Sequence, residues 1–294
     1  MKTMSRYAAR RYTTLVGLLF VICVSAPASS AQQAGALADP QQSSSQQSAV
    51  HESVESPIRL LTNFVEAGGS YEQLSNGYGR WSGGYFRAVV SAGKNTLTAE
   101  LNGQHEFGDA GTYVDAGDTF NFSDAWYGSV TMGSSVGGVF WPRSRLDSFL
   151  NRKWLGRRQF ITTFGYGYDH AKDVHSDHSY FVGTTYYFNA PWILEDGIRF
   201  NVSNPGTVFS PSAFVAVTQG TDKKYYVTLN AEVGQEAYQV VGATSVLTRF
   251  PSQTATLTWR QWVGRSWGFN LIADVYHSPY YHRGGGSLGF FKDF

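Results

Sequence analysis

The chain has 294 residues, 16% aromatic and only 15% charged, with 32 Gly, 18 Tyr, 20 Phe, 8 Trp and a formal net charge of +1. So little charge beside so many rings and glycines departs from the average soluble domain, and a mean hydropathy of −0.25 argues against a bundle of apolar helices. Near-neutral charge leaves no basic surface from which to argue nucleic-acid binding.

Residues 1–31 read as a secretory signal. Lys2, Arg6, Arg10 and Arg11 form a positive start, Leu15 to Val24 an apolar core, and Ala26-Pro27-Ala28 or Ser29-Ser30-Ala31 a small-residue cleavage site. The apolar run is too short to span a bilayer comfortably. Cleavage removes four cations and the single cysteine, Cys23. The mature chain then has 19 cations against 22 anions, and neither a disulfide nor a cysteine metal site. Residues 32–57, with Gln-Gln-Ser-Ser-Ser-Gln-Gln-Ser at 41–48, lack a periodic apolar pattern and are expected to form a flexible periplasmic leader.

From residue 58 onward the period is two. Leu97, Ala99 and Leu101 oppose Thr98, Glu100 and Asn102; Trp267, Phe269, Leu271, Ala273 and Val275 oppose Gly268, Asn270 and Asp274. A soluble sandwich also alternates, but segments of ten to thirteen residues suit a tilted span of a bilayer. Turn residues divide 58–294 into fourteen strands: 59–73, 80–93, 96–107, 112–122, 125–137, 143–153, 158–169, 179–189, 193–203, 211–220, 224–235, 252–262, 267–277 and 285–294. The segment 143–153 reads equally as a short helix, but an even count returns both termini to one side of the membrane. The expectation is therefore a single all-β antiparallel transmembrane barrel of about fourteen strands, with twelve or sixteen as alternatives.

The last strand runs to Phe294, where a closed barrel would lock it against the first strand and offer its aromatic end to the barrel-assembly machinery. With that end periplasmic, the longer links 170–178, 204–210, 235–251 and 278–284 face outward. Trp126, Trp154, Trp192 and Trp267 fall beside periplasmic turns, and Tyr166, Tyr168, Tyr280 and Tyr281 near the outer ends, which predicts two aromatic belts in contact with outer-membrane lipid.

The polar face carries charges of both signs: Arg87, Glu100, Glu106, Arg145 and Asp147, then Arg199, Glu232, Arg260 and Asp274. They are expected to line the lumen, either as a wet channel or as paired plugs. Two other clusters are weaker. Asp169 to His178 holds three His and three Asp without a spacing that fixes a ligand geometry, so no metal is assigned. His277, Ser278 and His282 bear on a surface hydrolase, but strand neighbours point to opposite faces, so His277 is badly placed to activate Ser278. No catalytic residue and no cofactor is assigned.

The stretches Thr258-Trp259-Arg260-Gln261-Trp262, Ala190-Pro191-Trp192-Ile193-Leu194-Glu195, Arg199-Phe200-Asn201, Asn204-Pro205-Gly206 and the closing His282-Arg283 and Phe291-Lys292-Asp293-Phe294 resemble the YaiO-type outer-membrane β-barrel family. The resemblance covers roughly 59–294 and implies a Gram-negative outer-membrane location. It carries over no catalytic or binding residue. Related barrels end exopolysaccharide secretion proteins, which makes a glycan chain the cargo suggested by analogy.

Overall fold

The computed structural model describes residues 63–294 except 190, 243 and 244, so the expected signal and leader lie outside the described residues. Fourteen antiparallel strands follow in order: β1 (Phe64–Leu74), β2 (Arg80–Ala92), β3 (Asn95–Glu106), β4 (Asp109–Asn121), β5 (Trp126–Gly137), β6 (Ser144–Trp154), β7 (Phe160–His170), β8 (Ser176–Tyr187), β9 (Trp192–Asn204), β10 (Val208–Thr221), β11 (Tyr225–Gly242), β12 (Ser245–Trp262), β13 (Trp267–His277) and β14 (His282–Asp293). Each pairs with its chain neighbours, and β14 pairs with β1 from Phe64↔Asp293 to Leu74↔Arg283, closing the barrel. At a tilt of about 40°, fourteen strands make a ring about 28 Å across between backbones.

Alternation sets the two faces. Outward positions carry Phe86, Leu101, Val114, Met132, Phe164, Ile198 and Leu229, all exposed; their strand neighbours point inward and are polar or glycine. The segment 143–153 is a strand, β6, because Leu146 and Leu150 face out while Arg145, Asp147 and Asn151 face in. Trp126, Trp154, Trp192 and Trp267 all face outward at the end where β1 begins and β14 stops, and there Arg152 stacks over Trp154 at 3.6 Å and Trp126 at 5.1 Å. The turns there are cross-linked. Arg158 donates to Asp124 at 2.9 Å, holding that carboxyl below the usual carboxylate range, and Arg157 donates to Asn189 at 3.1 Å.

Three expectations change at the far end. First, 235–251 is not a long loop: Gln235↔Pro251, Tyr238↔Thr248 and Gln239↔Leu247 continue the ladder, so β11 and β12 rise together as a projecting hairpin. The alternation breaks at Glu236 and Ala237, both buried, and Arg249 opposite has a φ of 47°. That kink turns the hairpin over the interior, where Tyr238 donates to the Pro205 carbonyl at 3.0 Å. Second, the other long links shorten to turns because the strands run on, so the asymmetry between ends lies in this hairpin rather than in loop length. Third, Tyr281 does not join an outer belt. It is 1% exposed and stacks inward on Tyr276 at 5.2 Å.

Glycines permit the close approach of β14 to β13 beside the seam. A Cβ on Gly286 would lie 2.0 Å from the Ile272 carbonyl, whereas one on Gly284, two residues earlier, would meet only the Asp274 carbonyl at 4.0 Å. Gly286→Ala should therefore lower the urea midpoint of the refolded barrel by an amount equivalent to about 1–3 kcal/mol, while Gly284→Ala leaves it nearly unchanged. Equal midpoints for the two variants would contradict the close packing of β13 and β14.

Candidate functional site: the barrel interior

All nine charged residues singled out in the sequence stand on inward positions. Arg87 is paired across the ladder with Glu100, and its Nε donates to that carboxylate at 2.6 Å. Arg145 Nε donates to Asp147 at 2.5 Å and lies 3.7 Å from Asp169. Glu106 is buried at the far end of β3, and Glu232 and Arg199 face inward on β11 and β9. The structure therefore spreads these residues around the wall rather than gathering them at one point.

Arg260 and Asp274 belong to two buried clusters of which the alternation showed only part. Near the termini, Arg260 lies over the rings of Phe291 at 3.6 Å, Phe64 at 4.8 Å and Trp262 at 5.0 Å. Its guanidinium is 3.4 Å from Glu66 and 3.8 Å from Asp293. Glu66 also accepts from Asn270 at 2.6 Å and Tyr85 at 2.7 Å, and Asp293 from Trp262 at 2.8 Å. At the far end Arg283 repeats the arrangement, with Glu72 at 2.8 Å, Asp274 at 3.4 Å and the Trp81 ring at 4.6 Å. Period two in β1 could have found Glu66 and Glu72. Arg283 falls in the expected link 278–284, whereas β14 begins at His282 and puts it on an inward position.

Inward rings lie against the wall over glycines of adjacent strands. A Cβ on Gly165 would be 2.5 Å from the Phe149 ring, and one on Gly197 2.5 Å from Phe181 and 2.7 Å from Phe214. Tyr113 covers Gly133, and Tyr85 covers Gly68 and Gly289 in the same way. Phe181 packs edge-on against Phe149 at 6.1 Å and stacks on Phe214 at 6.0 Å, forming a ladder across β6 to β10.

The two other clusters do not assemble a reactive centre. The cluster from Asp169 to His178 divides: His175 is buried and bonded to Asp173 at 2.9 Å, His178 faces outward to the Tyr166 hydroxyl at 2.9 Å, and Asp169 and Asp177 face inward. Among the described residues no three His, Cys, Asp or Glu converge as a metal site. Ser278 is 2% exposed, and its hydroxyl is engaged by the Tyr281 carbonyl and the amides of Tyr280 and Tyr281. His282 pairs instead with His277 at 2.8 Å.

Removing the Arg260 guanidinium leaves Glu66 buried without a cation, and leaves Asp293 only Lys223, which donates to it at 2.5 Å. Arg260→Ala should cost the folded barrel about 3–5 kcal/mol, read from urea unfolding in lipid vesicles. A loss below about 1 kcal/mol would show that the cluster does not hold the seam.

No curated protein matches the chain. Among solved structures it resembles the CymD monoaromatic hydrocarbon channel, with a TM-score of 0.58 at 6% identity over 79% of this chain and 88% of that one. It also resembles a TodX monoaromatic hydrocarbon channel variant, at 0.56 and 9% over 79% and 91%, and a bacterial polysaccharide outer membrane secretin, at 0.50 and 8% over 79% and 98%. At these identities the likeness is one of fold. The family model described as the YaiO membrane beta barrel domain matches residues 62–239. With more than half the chain under that model and a closed fourteen-stranded barrel around it, the protein belongs to the YaiO family of membrane β-barrels.

Proposed function

We propose that this barrel is a non-enzymatic channel or export-associated pore of the outer membrane, reached through the signal at 1–31, with its termini periplasmic and a glycan chain as candidate cargo. The observation that carries the reading is the flat packing of inward rings onto glycines. A barrel built only to be filled gains from rings that project and interlock. Here Phe149, Phe181, Phe214, Tyr113 and Tyr85 are drawn back to the wall, and small polar residues such as Thr131, Thr163, Ser179 and Ser212 occupy other inward positions. Ring faces beside hydroxyls suit the apolar and polar faces of a sugar.

The solved channels support the fold of such a pore and not its cargo. The rival hydrolase reading fits less well, because the Ser278 hydroxyl is committed to its turn.

Planar-bilayer recording of the refolded mature protein tests the proposal. Steady single-channel steps are expected, and Gly165→Leu should reduce their size by displacing the Phe149 ring toward the axis. A silent bilayer, with heat-modifiable migration showing a folded barrel, would overturn the channel reading.

A further inference from the structure

The register places charge along a continuous path. Glu66 of β1 pairs with Arg87 of β2, Arg87 with Glu100 of β3, and Glu100 with Asp115 of β4. Asp115 pairs with Gly133 of β5, Gly133 with Arg145 of β6, Arg145 with Asp169 of β7, and Asp169 with Asp177 of β8. Seven of eight successive positions on the inner wall are therefore ionisable, with glycine as the only interruption.

This row climbs. Glu66 is the third residue from the termini end of its strand, Glu100 the sixth, Arg145 the tenth and Asp177 the eleventh. Eight residues of rise at 3.3 Å each, on strands tilted about 40°, amount to about 20 Å of height, most of the hydrocarbon thickness a barrel spans. Neighbouring inward rows lack this character: the row through Phe64, Val89, Thr98, Gly117 and Thr131 is apolar or neutral over those five strands.

The sign is lopsided as well. Among the described strands six cations face inward: Arg87, Arg145, Lys153, Arg199, Arg260 and Arg283. Fourteen carboxylates face them. Glu66, Glu100, Asp115, Asp169 and Asp177 stand on the ribbon; Glu72, Glu236, Asp274 and Asp293 adjoin the two buried arginine clusters; Asp147 pairs with Arg145; Glu106, Asp109, Glu195 and Glu232 stand elsewhere on the inner wall. Carboxylates therefore outnumber cations on the inner wall, even with Lys223, which reaches Asp293 at 2.5 Å from the adjoining turn. A low-dielectric wall focuses such a surplus on the lumen, raising the local concentration of cations and repelling anions.

We infer that the acidic ribbon from Glu66 to Asp177 makes the lumen cation-selective and closes it to polyanionic chains, so that any glycan carried is neutral or cationic. The inference rests on the channel reading and narrows it. Two of its acids, Asp115 and Asp169, lie outside both buried arginine clusters, so their charge can be altered while those clusters stay intact.

The test is the reversal potential of the refolded protein in a planar bilayer under a tenfold KCl gradient. Potassium is expected to permeate severalfold better than chloride, and Asp115→Asn with Asp169→Asn should bring the ratio toward one while conductance persists. Current with no ion preference, or with chloride preferred, would overturn the inference and leave the channel reading standing. Unchanged selectivity in the double variant, with folding shown by heat-modifiable migration, would remove the ribbon as its source. A silent bilayer would remove the channel reading and the inference with it.

Discussion

Everything in this chain depends on closing one ladder of backbone hydrogen bonds. In hydrocarbon an unpaired N–H or C=O costs several kcal/mol, and an open sheet would present a whole edge of them. β1 and β14 are the two strands that would otherwise be edges, and they pair over eleven residues each, from Phe64 to Leu74. Two contacts extend the join beyond the ladder: Phe294 donates its amide to Asn63, and Ser75 donates to His282. The seam is also where the chain is richest in glycine, because the strands approach too closely there for side chains at Gly68, Gly285 and Gly286.

Closure alone does not explain why the buried arginines sit where they do. Arg260 and Arg283 occupy opposite ends of the wall formed by β11 to β14, β1 and β2, each facing carboxylates from β1 and from its other neighbours. Glu66 meets a cation from β12, three strands away, and Glu72 one from β14. A pair that reaches across the seam forms only when the seam has closed in register, since a slip of one residue would turn Glu66 and Glu72 toward lipid. These clusters act as checks on register at the join, a role buried ionic groups fill in other folds.

The fold was legible because lipid-facing and inward-facing positions alternate without compromise over long segments. Fourteen strands, their approximate limits and the inward placement of all nine charges follow from period two and turn residues alone. What period two could not reveal was anything that depends on chain reversal or on partners distant in sequence. Gln235 to Pro251 looked like a loop because Glu236 and Ala237 are both buried, which breaks the alternation at the kink. Tyr281 looked like a belt residue because nothing local says that its turn rotates the ring onto Tyr276. Arg283 was hidden because the expected link 278–284 extends past His282, where β14 already begins.

The same geometry divides the charge of the inner wall into two regions. Around the seam, carboxylates sit beside arginines whose other face is covered by Phe291, Trp262 or Trp81, so the field there is largely spent between fixed partners. From β3 to β8 the acids of the ribbon stand between inward neighbours such as Thr98, Asn102, Gly117, Gly167 and Ser179, and no arginine stacked on several rings lies among them as Arg260 does at the seam. A tilted barrel turns this difference into a path, because a row of directly paired residues must rise from one end to the other. Sequence changes of a single strand position would break that row, whereas conservative exchange of Asp for Glu would keep it. The proposed selectivity is in this sense a property of register: the hydrogen bonds that seal the wall against lipid also fix where its charge faces the lumen.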